Sequence, residues 1–234
     1  MPEDAHEGAR LHGAAQFRDA LRGRFIVLDG PDGSGKSTQF RRLCDAIRAA
    51  GLEVVETREP GGTAVGERIR EVLLDPVHVD MTVRCEMLLY MASRAQLVES
   101  VIRPALERGA TVVADRFVSS TLAYQGTAGG LGRSEIMEVA SAAVGTTWPD
   151  LTVIFDVDEV TASRRLSPLL DRMEQKGLDF HRRVREGYLA QARARPEAHL
   201  VIDAGQDVDA VAAALLGGVV SRLAELTAGR AARR

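Results

Sequence analysis

The chain has 234 residues, 45% hydrophobic and 27% charged, with a formal net charge of -3. That suits one globular domain with a real core and gives no electrostatic reason to expect polyanion binding across its surface. Two distant cysteines, Cys44 and Cys85, form neither a metal spacing nor a disulfide framework. No apolar run approaches a bilayer span, and Glu3, Asp4 and Glu7 stand where a secretory signal would be basic; the expectation is a cytoplasmic protein with neither a nucleic acid nor a membrane as partner.

Residues 1–23 carry only Leu11, Phe17 and Leu21 as sizeable apolar groups, which predicts a flexible extension that adds little to a core, with at most a short helix from Ala14 to Leu21. The apolar run Phe25-Ile26-Val27-Leu28 then feeds Asp29-Gly30-Pro31-Asp32-Gly33-Ser34-Gly35-Lys36-Ser37-Thr38. This matches G-x-x-x-x-G-K-[ST] at every fixed position, between a strand and a helix as such a loop requires. Its glycines let backbone N–H groups face an anion at a helix N-terminus, with Lys36 for the β and γ phosphates and the Ser37 hydroxyl for Mg²⁺. The ligand expected is a nucleoside triphosphate.

Phe40, Leu43, Cys44 and Ile47 recur at helical spacing until Gly51. A short strand over 52–57 leads into the turn-rich Arg58-Glu59-Pro60-Gly61-Gly62-Thr63 and a helix through Ile69, Val72 and Leu73. A long helical pattern runs from Thr82 to Arg108, with Pro104 marking a bend or break. The third strand, over 111–114, ends in Asp115-Arg116; a helix to about Gln125, a glycine-rich break over 126–132 and a helix over 134–144 follow. Strands over 151–156 and 200–203 and a final helix from Val208 to about Leu226 complete the pattern. Strands alternating with helices predict an α/β fold of parallel βαβ units, whose ligands bind beyond the C-terminal ends of the strands.

Arg58, Arg70, Arg94 and Arg116 all fall near that edge, where several guanidinium groups suit a second phosphate beside the triphosphate. Tyr90 and Arg94 stand one helical turn apart, and Tyr124-Gln125 follow Arg116; an aromatic ring, an amide and an arginine can recognise a planar base. The basic segment about residues 164–176, interrupted by Pro168, has the character of a mobile lid.

With these residues in view, the sequence from Arg24 to about Leu226 resembles the thymidylate kinase family, bacterial type. The resemblance rests on the phosphate loop, on Thr57-Arg58-Glu59-Pro60-Gly61-Gly62-Thr63, and on Asp115-Arg116-Phe117 through Ser120-Thr121 to Ala123-Tyr124-Gln125. It implies a P-loop NTPase fold with a five-stranded parallel sheet flanked by helices on both faces, residues 24–226 forming the domain and 227–234 a flexible tail. It implies transfer of the γ-phosphoryl group of ATP to dTMP, giving dTDP and ADP in dTTP biosynthesis, with Mg²⁺ as cofactor and a homodimer packed through long helices that include residues 82–108. By the same resemblance residues 30–38 hold the ATP phosphates, Asp32 and Glu59 lie near the acceptor and the metal with Ser37, and Arg70 and Arg116 hold the monophosphate. Tyr90 takes the place of a Phe stacked on thymine, Arg94, Ser120, Thr121 and Gln125 contact the base beside Pro60, and Tyr124 crowds the 2′ position. The chain departs from the family at Tyr90, at Phe117 and in the lid, where Ser167 replaces an arginine. Arg165 and Arg172 are then expected, with Lys36, Asp32 and Arg116, to be the catalytic groups. The residues alone leave two rivals open, a kinase for another nucleoside monophosphate and a P-loop switch that lacks an acceptor pocket.

Overall fold

The computed structural model describes residues 15–165 and 171–231. Five strands, β1 (Phe25–Asp29), β2 (Val54–Arg58), β3 (Thr111–Asp115), β4 (Leu151–Asp156) and β5 (His199–Asp203), form one parallel sheet in the order β2-β3-β1-β4-β5. The three inner strands are buried at almost every position and the two outer ones only in part. That is why the inner strands read as unbroken apolar runs. Alternation along β1 divides the core. Ile26 and Leu28 pack with α1 (Lys36–Ala49) and α9 (Val208–Ala231), while Phe25 and Val27 pack with α3 (Val83–Leu97) and α6 (Arg133–Val144). α8 (Leu178–Ala194) covers the second face beside β4 through Val184 and Tyr188.

The register sets the level of the site. Leu28 pairs with Asp115 and Arg58 also pairs with Asp115, so β1, β2 and β3 end together. The chain leaves β1 toward β2 and β3 on one side and returns to β4 and β5 on the other, which makes the end of β1 the point where a crevice opens. Between β2 and β3 stand α2 (Ala64–Leu74), α3 and α4 (Arg103–Glu107), and between β4 and β5 stand α7 (Glu159–Arg164) and α8.

The structure bears out the break expected near Pro104 and corrects several other expectations. The 82–108 helix is interrupted by a π-helical segment, Val98–Ile102, just before that proline. Proline has no N–H to give and its ring crowds the carbonyl four residues back, so the wider turn absorbs the mismatch. The glycine-rich break starts later than expected, because α5 (Val118–Thr121) runs into a second π-helical segment, Leu122–Ala128, that contains Gly126. Residues 15–21 are helical, and Leu21 is fully buried against the α1 and α9 layer while its carbonyl accepts from the Thr111 hydroxyl at 2.8 Å. A few apolar groups on one turn were therefore enough to join the core; residues 1–14 lie outside the described residues. One helix among the described residues, Val208–Gly229, is after all long and apolar enough to cross a membrane by length and composition. Its Val211, Leu215, Val219 and Leu223 recur at four-residue steps and are buried on the sheet, as in the core helix of an α/β protein.

Candidate active site

The phosphate loop begins where β1 ends. Gly30 has φ 139°, and a Cβ there would lie 2.6 Å from the Phe155 carbonyl oxygen; at Gly33, with φ 75°, a Cβ would meet the backbone of Ala162. These two positions admit only glycine, because the loop runs directly against β4 and α7. Lys36 opens α1, and its ammonium donates to the carbonyls of Gly30 at 3.0 Å and Pro31 at 2.8 Å and to Ser34 Oγ at 3.4 Å. Burial and the nearby Arg116 push Lys36 down to about 8, against the carboxylates of Asp115, Asp32 and Asp29. Ser37 and Thr38 are exposed on the first turn of the helix.

Arg116 is the one non-glycine among the described residues with positive φ, at 72°. Its N–H donates to the Leu28 carbonyl at 3.0 Å, which ties the turn after β3 to β1 and turns the guanidinium into the crevice. A backbone held in this sparsely occupied region stores strain of the kind found at functional sites. The guanidinium ion-pairs with Asp32, donates to Ser120 Oγ at 3.0 Å and Tyr188 Oη at 3.1 Å, and lies 5.2 Å from the centre of the Tyr124 ring. Tyr124 Oη donates to Asp32 Oδ2 at 2.7 Å. Burial alone would raise the Asp32 carboxyl, but Arg116, Lys36 and the Tyr124 hydrogen bond outweigh it and hold the group down at about 2. Asp32 is therefore ionised at neutral pH.

A pocket opens beside this pair, lined among others by Asp32, Glu59, Pro60, Arg70, Tyr90 and Arg116, with Thr121, Tyr124 and Gln125 on its far wall. Each of these was expected at the acceptor site: Asp32 comes from the phosphate loop, Glu59 and Pro60 from the turn after β2, Arg70 from α2, Tyr90 from α3, and Arg116, Thr121, Tyr124 and Gln125 from the segment after β3. Arg70 donates to the Pro60 carbonyl at 3.0 Å. Arg94 is 1% exposed and sits behind the pocket: it donates to Glu59 Oε2 at 2.7 Å and to Thr121 Oγ1 at 3.2 Å, and lies 5.2 Å from the Phe117 ring centre. Ser120 likewise faces away, donating to Asp29 Oδ1 at 2.6 Å. Burial pushes the Glu59 carboxyl up to about 7, with Arg94 opposing and Asp29 adding to the rise.

Other expected residues fall elsewhere. Arg58 is exposed and pairs with Glu67 at 3.0 Å, so it braces the Gly61-Gly62 turn and does not enter the pocket. Arg165 donates to the Ala204 carbonyl at 3.0 Å. Arg172 is buried against α2 and α3, where it pairs with Glu86 at 2.6 Å and donates to the Leu73 carbonyl at 2.7 Å, so its partners are not in the phosphate loop. Within the lid, residues 166–170, including Ser167 and Pro168, lie outside the described residues. A larger cavity of about 350 Å³ lies away from the phosphate loop, between α6 and the end of α8, and contains none of the loop's residues.

Sequence reasoning missed four groups. Asp29 is fully buried and its Oδ1 accepts from Tyr188 Oη at 2.6 Å as well as from Ser120. Asp115 ends β3 beside Lys36, and its Oδ1 is buried without a hydrogen-bond partner. Tyr188 stands among the apolar groups of α8, but a buried phenol still seeks a partner, which was the available signal. Glu86 gave none, because an acid in an otherwise amphipathic helix reads as a surface charge.

Comparison with known proteins matches residues 28–215 to a family model described as "Thymidylate kinase". A thymidylate kinase of Deinococcus radiodurans is 49% identical over 205 residues, covering 86% of this chain and 98% of the relative. One from Pseudomonas fluorescens strain Pf-5 is 50% identical over 188 residues, covering 80% and 90%, and one from Exiguobacterium is 46% identical over 205 residues, covering 87% and 97%.

Proposed function

The chain belongs to the thymidylate kinase family, and on that premise we propose that its acceptor nucleotide meets the phosphate loop in the pocket between Asp32 and Arg116. The reaction is transfer of the γ-phosphoryl group of ATP to dTMP, giving dTDP and ADP. One residue carries the site assignment. Asp32 belongs to the phosphate loop, lines the acceptor pocket and is bound by Arg116 and Tyr124 from the opposite wall. A loop that touches both substrates is what in-line transfer between two anions needs.

These contacts support the following roles. Residues 30–38 cradle the ATP phosphates, with Lys36 moving its donors from the loop carbonyls to phosphate oxygens. Arg70 and Arg116 hold the acceptor phosphate, and their charge offsets the negative charge that spreads over the transferring group. Asp32, held at about 2, is a poor proton acceptor at neutral pH and serves to aim Arg116 and Tyr124; the acceptor phosphate is itself the nucleophile. Tyr90, Pro60, Thr121 and Gln125 take the base and Tyr124 excludes a 2′-hydroxyl. Arg94 and Ser120 work one layer behind, fixing Glu59 with Thr121 and Arg116 with Asp29. The lid supplies further positive charge from Arg164 or Arg165, while Arg172 holds the lid's C-terminal flank to α3.

Mg²⁺ fits this donor set. No group of three or more His, Cys, Asp or Glu among the described residues makes a cage of its own, and an ion held chiefly by phosphates and water needs none. Buried carboxylate oxygens without partners, Asp29 Oδ2, Glu59 Oε1 and Asp115 Oδ1, stand around the crevice with the Ser37 hydroxyl and Asp32. When bound there, the ion would neutralise charge on the β and γ phosphates. The homodimer would form through α2 and α3, where Val65, Val72 and Leu88 are exposed, and the enzyme would work in the cytoplasm as a single domain over residues 24–226.

A coupled ADP-release assay with and without dTMP, on the parent and on Asp32→Ala, tests the site. The variant should lose dTMP-dependent turnover by about 10² or more while still binding ATP. A dTMP-dependent rate within a few-fold of the parent refutes the assignment.

A further inference from the structure

Glu86 is 1% exposed on α3, four residues before Tyr90 and eight before Arg94, so the three side chains leave one face of the helix. Its Oε1 accepts from Gln125 Nε2 at 2.7 Å, its Oε2 from Arg172 Nη2 at 2.6 Å, and Lys176 Nζ reaches the two oxygens at 3.2 and 3.0 Å. The two cations are held independently: Arg172 also donates to the Leu73 carbonyl, and Lys176 lies 4.9 Å from the Phe180 ring centre. Gln125, 1% exposed, lines the acceptor pocket.

A carboxylate carrying a guanidinium and an ammonium only accepts hydrogen bonds, and a primary amide has one donating and one accepting end. Glu86 therefore fixes the direction of Gln125: the NH₂ is committed to the carboxylate, and the carbonyl oxygen is the end left for the pocket. We propose that Glu86 is a positioning residue for base selection, presenting the Gln125 carbonyl to a pyrimidine that carries N–H at ring position 3. Thymine and uracil have that donor; cytosine offers an acceptor there, and two acceptors would face each other. The inference rests on the reading above that Gln125 meets the base. It gives a reason for an acid in the interior of α3, and it links base selection to the segment after residue 170 that supplies both cations.

The test compares kcat/KM and Kd for dTMP and dCMP in the parent, Glu86→Gln, Gln125→Ala and the double variant. In Glu86→Gln, the Arg172 guanidinium can only donate and so keeps the oxygen of the new amide, and the new NH₂ points at Gln125. Gln125 alone can reverse, turning its own NH₂ into the pocket. The ratio of dTMP to dCMP, in kcat/KM and in Kd, should narrow roughly ten- to a hundredfold, mostly through the dTMP terms, while KM for ATP stays put. Adding Glu86→Gln to Gln125→Ala should leave the ratio where Gln125→Ala set it. If Gln125→Ala does not narrow the ratio, the base-contact reading is wrong. If Gln125→Ala narrows it and Glu86→Gln does not, or Glu86→Gln lowers both nucleotides equally, Glu86 is only a structural anchor and the inference is overturned. The charge-balanced pair Glu86→Gln with Lys176→Met, which removes a cation along with the anion, is read in the same way should the single variant not fold.

Discussion

Replacing Arg94 by Met removes a guanidinium that is 1% exposed and held by Glu59, which is 4% exposed, at 2.6 Å. The change also deletes the hydrogen bond to Thr121 and the contact over the Phe117 ring, and it leaves Glu59 with no partner, since its Oε1 already has none. Breaking a buried pair by removing one partner costs about 3–5 kcal/mol, a large part of the roughly 5–15 kcal/mol that keeps a domain folded. The cost should depend on pH in a direction that Glu59 sets. Its carboxyl is raised from 4.5 to about 7 in the folded protein, chiefly by burial. The folded state thus binds this proton more tightly than the unfolded state, and the stability it lends is complete below about pH 4.5 and lost as pH rises through about 7. Without Arg94 the main pull opposing burial is gone and the carboxyl rises further, so the variant goes on losing stability above pH 7, at about 1.4 kcal/mol per pH unit, where the parent has no such slope from Glu59. Urea unfolding followed by circular dichroism, at about pH 7 and about pH 8.5, should therefore show a larger destabilisation at the higher pH, by about 1–2 kcal/mol. A loss below about 1 kcal/mol at both pH values, or one that does not grow with pH, refutes the buried-pair account.

Tyr124→Ala should narrow the preference for deoxyribo- over ribonucleoside monophosphates, read as a ratio of kcat/KM; an unchanged ratio removes Tyr124 from sugar selection. Arg172→Met should raise KM for dTMP more than it lowers kcat, because the guanidinium braces Glu86 beside Gln125. A kcat loss of about 10³ with KM for dTMP unchanged would instead mark Arg172 as a lid arginine acting on the transferring phosphoryl group. Deleting residues 1–14 should leave Tm and activity near those of the full chain, whereas deleting 1–22 removes the buried Leu21, worth about 1.5–3 kcal/mol. Equal melting temperatures for the two truncations would show that the Leu21 contact is worth nothing.

The sequence by itself determined the inner strands and the glycine-rich loop that follows β1. Strands buried on both faces must be continuously apolar, and a loop between such a strand and a helix can turn its N–H groups onto phosphate only with glycine at fixed places, so the residues about β1 and Gly30 to Lys36 announce themselves locally. That the strands run parallel follows from the alternation of strand and helix. What only the tertiary structure decided is which charges meet. Arg58, Arg94 and Arg116 look alike in the sequence, yet Arg58 props a turn, Arg94 is buried behind Glu59, and Arg116 alone turns onto Asp32 through a backbone with positive φ. The partners of Asp29, Tyr188 and Glu86 were hidden for the same reason: they lie 91 residues away in Ser120, 159 in Asp29 and 39 in Gln125. A buried polar group is specified by what faces it across the fold, and spacing along one helix or strand carries no information about that partner.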